Sequence, residues 1–335
     1  MKPKVFITRE LPGEAIKLIS EVYDVEVWHE YFPPPREVLL EKVREVDALA
    51  SLLTDKIDGK LLNLASKLRI IAQYAVGYDN IDIEECTRRG VYVTNTPGVL
   101  TEAVADLTWA LILSIARRIV EADNFVRSGL WENTKTGWHP SMMIGVDVHG
   151  KTLGIIGLGR IGSAVARRAK CFDMKILYYD VERRVELEKT LDAVYVDLDD
   201  LLKLSDFVSL HVPLTKSTYH LIGERELKLM KPTAFLINTS RGAVVDEKAL
   251  VKALKNKWIA GAALDVFETE PTPKSNPLLK FRNVIVVPHI GSASRETRER
   301  MALMVAENLL SFARGEVPPN LVNKQVLKIR PPGFS

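Results

Sequence analysis

The stretch Leu153-Gly154-Ile155-Ile156-Gly157-Leu158-Gly159-Arg160-Ile161-Gly162 decides how the rest of the chain is read. An apolar run of strand character enters three glycines spaced G-x-G-x-x-G, and residues 163–170 continue with helical character. That spacing permits a tight turn, a close approach of backbone N–H groups to a pyrophosphate, and close packing of helix on strand. A second β-like run, Lys175-Ile176-Leu177-Tyr178-Tyr179, ends at Asp180, 21 residues after Gly159, where a ribose-binding acid belongs. A carboxylate there accepts hydrogen bonds from ribose hydroxyls and repels a 2′-phosphate, which places NAD ahead of NADP. Arg183 and Arg184 keep NADP open, because either guanidinium can reach a phosphate.

Upstream of this turn, short apolar runs alternate with amphipathic segments. Val5-Phe6-Ile7, Val25-Glu26-Val27, Ala48-Leu49-Ala50, Ile70-Ile71-Ala72 and Val91-Tyr92-Val93 read as strands of a parallel βα array. Helices are expected at 14–20, 36–45, 59–65 and 82–89, and this first array closes near residue 98. After Pro97-Gly98, Thr101 can cap a long connecting helix carrying Val104, Leu107, Leu111, Ile112 and Ile115. The segment 131–150 has aromatics, glycines and a proline without period, and reads as an ordered loop. Downstream, strands are expected at 207–210, 234–237, 259–264 and 284–287, followed by a last helix at 295–314. That helix, or the tail after it, is expected to return to the first array, which makes the first domain discontinuous.

Composition sets the outer bounds. A length of 335 residues accommodates two domains, and 47% hydrophobic with 27% charged residues describes a globular chain. A net charge of +3, with basic residues dispersed, argues against nucleic acid. Cys86 and Cys171 stand far apart with no CxxC, which argues against a disulfide framework or a zinc site. No metal is expected. With no signal peptide and no apolar run near the ~20 residues a membrane span requires, the expectation is a cytoplasmic protein without membrane attachment.

Open parallel sheets bind ligands beyond the carboxyl ends of their strands. Three polar residues stand there in the second array: Arg241, Glu270 and His289. A guanidinium can clamp a substrate carboxylate at two points and polarise a neighbouring carbonyl. A histidine can give or take a proton, and a carboxylate on its other ring nitrogen fixes the tautomer and favours the imidazolium. Arginine, carboxylate and histidine together suit hydride transfer to a carbonyl. Taken singly, each also fits a purely structural role, as a solvated arginine, a turn acid before Pro271, and a cap for the last helix.

In their order along essentially the whole chain, several segments resemble the D-isomer-specific 2-hydroxyacid dehydrogenases. They are Val76-Gly77-Tyr78-Asp79-Asn80, Asn95-Thr96-Pro97-Gly98, the glycine turn, His211-Val212-Pro213-Leu214-Thr215, Asn238-Thr239-Ser240-Arg241-Gly242, the run from Ala263 to Pro271, and Pro288-His289-Ile290-Gly291-Ser292. The resemblance implies that Arg241 binds substrate, that Glu270 orients His289, and that His289 is the general acid and base. It implies that N–H groups around Val76 and Gly77 receive the substrate carboxylate, with Leu53 and Leu100 lining the apolar side. For the cofactor it implies Gly157, Leu158, Gly159, Arg160, Ile161 and Gly162 at the pyrophosphate. Asp180, followed by Val181 and Glu182, falls at the adenosine ribose, and Val212 and Pro213 lie beside the adenine. Thr239, Ser240, Asp265 and Gly291 fall near the nicotinamide.

Within the family the likeness is nearest to archaeal glyoxylate and hydroxypyruvate reductases, including the ending from Val322-Asn323-Lys324 to Pro331-Pro332-Gly333-Phe334. Trp138 resembles a tryptophan that enters the neighbouring subunit's active site; interface packing of a homodimer fits it equally. Val76 is uncharged, unlike the lysine of phosphite-oxidising relatives, and Glu270 differs from the glutamine of formate dehydrogenases. The implied reaction is NAD(P)H-dependent reduction of a small 2-oxo acid, glyoxylate or hydroxypyruvate, to glycolate or D-glycerate. Two alternatives stay open: an NAD(H)-sensing corepressor-like binding protein, and a D-lactate or phosphoglycerate dehydrogenase. The implied fold is α/β with two doubly wound parallel-sheet domains and a cleft between them. These are a flavodoxin-like substrate domain at 1–99 plus 291–335 and a Rossmann NAD-binding domain at 100–290.

Overall fold

Alternation of short apolar runs with amphipathic segments produces two parallel sheets, each with helices on its faces. A computed structural model describes residues 2–334. The chain divides into two units, Met1–Leu100 with Ala293–Ser335, and Thr101–Ser292.

In the first unit β1 (Lys4–Ile7), α1 (Ala15–Val22), β2 (Asp24–Val27), α2 (Arg36–Lys42), β3 (Ala48–Ser51), α3 (Gly59–Leu64), β4 (Ile70–Gln73), α4 (Ile83–Arg88) and β5 (Tyr92–Thr94) follow one another. The strand order is β2-β1-β3-β4-β5, all parallel, which is the flavodoxin-like order. β3, β4 and β5 are buried at every position, as expected where helices cover both faces of a sheet. Edge strand β2 buries little, and Glu26 within it pairs with Lys42. α13 (Arg295–Ala313), from the far end of the chain, belongs to this unit and packs on α1 and β4. Its Met301, Val305, Leu309 and Phe312 are buried, while the hydroxyls of Tyr23 and Tyr74 donate to the carbonyls of Leu309 and Arg298 at 2.7 and 2.8 Å. The tail then returns along β5, where Val322 N donates to Val93 O at 2.8 Å and Asn323 Oδ1 accepts from Val93 N at 2.9 Å.

The second unit opens with α5 (Thr101–Ala116), α6 (Ile119–Arg127) and α7 (Leu130–Asn133). Thr101 is the first helical residue rather than a cap, and the helix stops at Ala116 because Arg118 takes a left-handed conformation, φ 55°. The sheet unit comprises β6 (Thr152–Ile156), α8 (Arg160–Ala169), β7 (Lys175–Tyr179), α9 (Val185–Leu191), β8 (Ala193–Tyr195), α10 (Leu198–Leu204), β9 (Phe207–Leu210), α11 (Glu224–Leu229), β10 (Phe235–Asn238), α12 (Glu247–Lys255), β11 (Gly261–Leu264) and β12 (Val284–Val286). The order β12-β11-β10-β9-β6-β7-β8 is wholly parallel. It reverses between β6 and β9, and that reversal is where an open α/β sheet presents its ligand crevice. β9 shows how the sheet is covered twice: Phe207 joins the apolar cluster of α5 and α8, and Val208 joins that of α10, α11 and α12. No helix among the described residues is long and apolar enough to cross a membrane.

Candidate active site

The three glycines of the turn each meet a different requirement. Gly157 has φ +95°, and a Cβ there would sit 2.7 Å from His211 O and 2.8 Å from a Val212 methyl, so the β6 turn lies directly against the end of β9. A Cβ on Gly162 would fall 2.1 Å from Gly157 O, which shows α8 packed hard on the turn. Gly159 faces open space, with nothing within 4 Å of its Cβ position. It precedes α8, whose first turn carries no side-chain cap. N–H groups without a side-chain cap at the head of a ten-residue helix, reached over a bare glycine, fit a pyrophosphate. Asp180 closes the turn from β7: its Oδ2 accepts from Leu158 N at 2.9 Å. The residues present therefore fit a dinucleotide. Val181 beyond it is 85% exposed, and Glu182 pairs with Arg184 at 3.5 Å. Val212 packs against the cluster of α10, α11 and α12, and Pro213 O accepts from the Thr218 hydroxyl at 2.6 Å.

Arg241 is aimed by its own turn. The Asn238 side chain accepts from Ser240 N at 3.0 Å and Ser240 Oγ at 2.8 Å, and donates to Arg241 O at 2.9 Å. Arg241 Nη1 in turn donates to Ser240 O at 2.8 Å. Gly242 follows because a Cβ there would lie 1.9 Å from the Phe267 carbonyl carbon, so the turn after β10 touches the segment after β11 backbone to backbone. That segment carries Glu270. Its Oε1 accepts from Phe267 N at 2.9 Å, and its Oε2 lies 2.7 Å from His289 Nδ1. Burial alone would raise the Glu270 pKa. The hydrogen bond and charge of His289 outweigh it, with help from Phe267 N–H and the Arg241 charge, and the carboxyl is held below its ordinary value.

His289 has φ +53°, a conformation that costs a non-glycine residue ~1–3 kcal/mol and persists only where surrounding contacts over-determine it. Asp265 provides those contacts. Its backbone O accepts from His289 N at 2.8 Å, while its carboxylate oxygens accept from Ile290 N and Gly291 N at 2.7 and 2.9 Å. Burial pushes the Asp265 pKa up, against these two N–H groups and the His289 charge. A side chain on Gly291 would press on Asp265 Oδ2 at 3.2 Å. With Nδ1 on Glu270, Nε2 is the ring nitrogen at which such an imidazole can give or take a proton.

Thr239 is buried at the end of β10, its hydroxyl 2.9 Å from that of Thr108 on α5. Sequence reading did not single out Thr108, nor the ring of His211. That ring is enclosed at the end of β9, with Nε2 at 2.9 Å from Ser209 Oγ and Nδ1 without a partner. Burial pushes its pKa down to about 3, so it is a neutral imidazole. The only signal for it was its place in the segment 211–215.

In the first unit, Val76 and Gly77 lie in the loop after β4. Their carbonyls accept from Asn95 Nδ2 at 2.8 Å and Gln73 Nε2 at 3.3 Å, which holds the loop by its oxygen side. Leu53 sits half-buried in the turn after β3, and Leu100 is buried just before α5. Trp138, in the second unit, is 75% exposed. Among the described residues one His/Asp/Glu group lies close enough to share a cation: His220, Asp246 and Glu268. Its atoms are already occupied, since Glu268 Oε1 pairs with His220 Nε2 and accepts from Glu247 N, and Asp246 Oδ1 caps α12.

Comparison with known proteins identifies the family. The family model described as "D-isomer specific 2-hydroxyacid dehydrogenase, NAD binding domain" matches residues 109–291. A glyoxylate reductase of Thermococcus litoralis is 65% identical over 99% of this chain and 100% of its own length. One from Korarchaeum cryptofilum is 62% identical over the full length of both. Among solved structures, a protein from Thermus thermophilus superposes with TM-score 0.89 at 45% identity, covering 95% of this chain and 99% of its own. An NADPH-dependent glyoxylate/hydroxypyruvate reductase from Sinorhizobium meliloti, solved with NADP and malonate, gives TM-score 0.85 at 34% identity, covering 97% and 98%. With a parallel seven-stranded sheet, a glycine turn at its reversal and full-length relatives at this identity, the chain belongs to the D-isomer-specific 2-hydroxyacid dehydrogenase family, as an NAD(P)-dependent oxidoreductase.

Proposed function

We propose that the protein reduces a small 2-oxo acid, glyoxylate or hydroxypyruvate, to glycolate or D-glycerate with NADH. The observation that carries the reading is the Glu270–His289 pair at 2.7 Å, which fixes one ring nitrogen and frees the other to act as acid. When bound, the reduced nicotinamide supplies a hydride to the carbonyl carbon. His289 Nε2 delivers a proton to the carbonyl oxygen. Glu270, kept anionic, stabilises the imidazolium before transfer and holds the ring in place after it. Arg241 clamps the substrate carboxylate and polarises the carbonyl. In the first unit, assigned to substrate binding, Val76 and Gly77 N–H groups are assigned to that carboxylate, with Leu53 and Leu100 as apolar lining.

NADH is preferred on this reading because Asp180 stands at the ribose position, while Arg183 and Arg184 are both paired with acids. The Leu158–Ile161 backbone, Val181, Glu182, Val212, Pro213, Thr239, Ser240, Asp265 and Gly291 complete the cofactor's surroundings. The working form is a cytoplasmic homodimer, in which Trp138 either packs at the interface or reaches the partner's site.

The test is the loss of NADH absorbance at micromolar enzyme with glyoxylate, hydroxypyruvate and pyruvate in turn. Rapid oxidation with the first two is expected. NADH binding with no turnover of any small 2-oxo acid would instead identify a nucleotide-sensing binding protein.

A further inference from the structure

Next to the acid at the end of β7 the sequence places two arginines, and the structure engages both. Arg184 lies 4.0 Å from Asp180 and 3.5 Å from Glu182. Arg183 is held more firmly: its Nε and Nη2 donate to the two carboxylate oxygens of Glu188 at 2.8 and 3.0 Å. Its guanidinium carbon stands 5.9 Å from the centre of the Tyr195 ring. Two parallel N–H···O bonds fix orientation as well as distance, which a single contact does not.

Glu188 is anchored in turn. Its Oε1 accepts from the Tyr178 hydroxyl at 2.7 Å, and the same hydroxyl accepts from Arg184 N at 2.8 Å. Tyr178 is fully buried and meets Tyr195 edge to face at 5.3 Å on the neighbouring strand. The acid therefore rests on the core rather than swinging at the surface, and its side chain is only 16% exposed. Hydrogen bonds from Arg183 and Tyr178 hold its carboxyl well below the ordinary carboxylate range, which keeps the pair charged at any working pH.

We propose that Glu188 is a specificity-determining positioning residue: anchored on Tyr178, it holds Arg183 in a two-point pair and so withholds that guanidinium from a 2′-phosphate placed beside Asp180. The proposal rests on the reading of the glycine turn and Asp180 as an NADH site. Arg183 follows Asp180 by three residues, so freeing its side chain returns a phosphate ligand to the loop without moving the backbone that Tyr178 fixes.

The experiment measures the dissociation constants of NADPH and NADH by nucleotide fluorescence without substrate, together with kcat/KM for each at saturating glyoxylate, in wild type, E188Q, R183A and the double variant. Glutamine keeps an oxygen for Tyr178 and the shape of the side chain, while losing the charge that binds Arg183. In E188Q the NADPH-to-NADH ratio is expected to rise about three- to tenfold, the scale of one exposed charge-assisted hydrogen bond. In the R183A background the same substitution should leave the ratio within about twofold, since the coupling partner is gone. An equal rise without Arg183 would show that removal of negative charge acts directly, and would overturn the latch, as would no rise in E188Q. Should E188Q fail to fold, E188D in both backgrounds makes the same test, because it keeps the charge but draws the carboxylate back from Arg183. A wild type that prefers NADPH overturns the NADH reading and the latch with it; a wild type that prefers NADH but is indifferent to E188Q overturns the latch alone.

Discussion

At the scale of single residues the candidate site centres on one imidazole held in an unfavourable backbone conformation. His289 at φ +53° is kept there by Asp265 on its backbone side and Glu270 on its ring side. General acid assistance is typically worth ~10²- to 10⁴-fold, so H289A should lower kcat by that factor while the dissociation constant for NADH, read by fluorescence, stays near the wild-type value. A variant with normal kcat would remove His289 from the chemistry. Glu270 yields a pH prediction whose sign follows from its depressed pKa. A carboxyl lowered in the folded state contributes stability that is present above its unfolded value, about 4.3, and is lost as pH falls through the lower folded value. The stability that Glu270 gives wild type over E270Q should therefore shrink as pH falls below about 4. Because this side chain is 36% exposed, solvent screening limits the difference to about 1 kcal/mol or less. Urea unfolding at a series of pH values measures it, and a difference that grows on acidification would contradict the assignment of Glu270 as the anionic partner.

At the scale of elements, the β6–α8 turn separates folding from binding. Gly162 is needed by the fold, since a methyl there meets Gly157 O at 2.1 Å, whereas Gly159 meets nothing within 4 Å. G162A should thus lower Tm by several degrees, an overlap with backbone costing roughly 1–3 kcal/mol. G159A should leave Tm nearly unchanged and weaken NADH binding at least about tenfold, because only the ligand approaches that surface. Equal affinity in wild type and G159A would mean that the pyrophosphate lies elsewhere. These elements were legible beforehand because their signal is local: β9 falls at Phe207–Leu210 as read, and β12 at Val284–Val286 is one residue shorter. What escaped reading depends on contacts distant in sequence or on very short pieces. β8 is a three-residue edge strand with Val194 55% exposed, so its short run carries little of the burial signal of an inner strand. The break between α5 and α6 at Arg118 has neither glycine nor proline to announce it. Asp265 was read as a cofactor neighbour, yet its two bonds to Ile290 and Gly291 N–H groups span 25 residues or more and leave no pattern. The same holds for Glu188, an ordinary-looking helix acid until Tyr178 and Arg183 are seen around it.

At the scale of the molecule, one segment of the second unit is not explained by its own chain. α6 and α7 bury no residue, and Ile119, Val126, Leu130, Trp131, Trp138 and Ile144 are between 40 and 75% exposed. The sequence had suggested only an aperiodic loop beginning at Trp131. Beside this arm, a groove of about 1070 Å³ is lined by Phe125, Leu130, Ile144 and Phe281 among others. An exposed apolar surface of this extent marks an interaction site, and burying six such side chains at about 1 kcal/mol or more each approaches the ~4–15 kcal/mol that association costs. A second copy of the chain is the simplest occupant, because a twofold axis would let the arm of each copy cover the groove of the other. Sedimentation equilibrium at micromolar concentration should then give twice the chain mass of 37.6 kDa. V126E with L130E places two carboxylates in the surface and should give the single mass with an unchanged circular dichroism spectrum. If Trp138 acts in the partner's site, that monomer should also show a raised KM for glyoxylate that W138A reproduces in the dimer; if Trp138 only packs, W138A weakens the dimer and leaves KM alone. A wild type of single mass at all concentrations would leave the arm without this explanation.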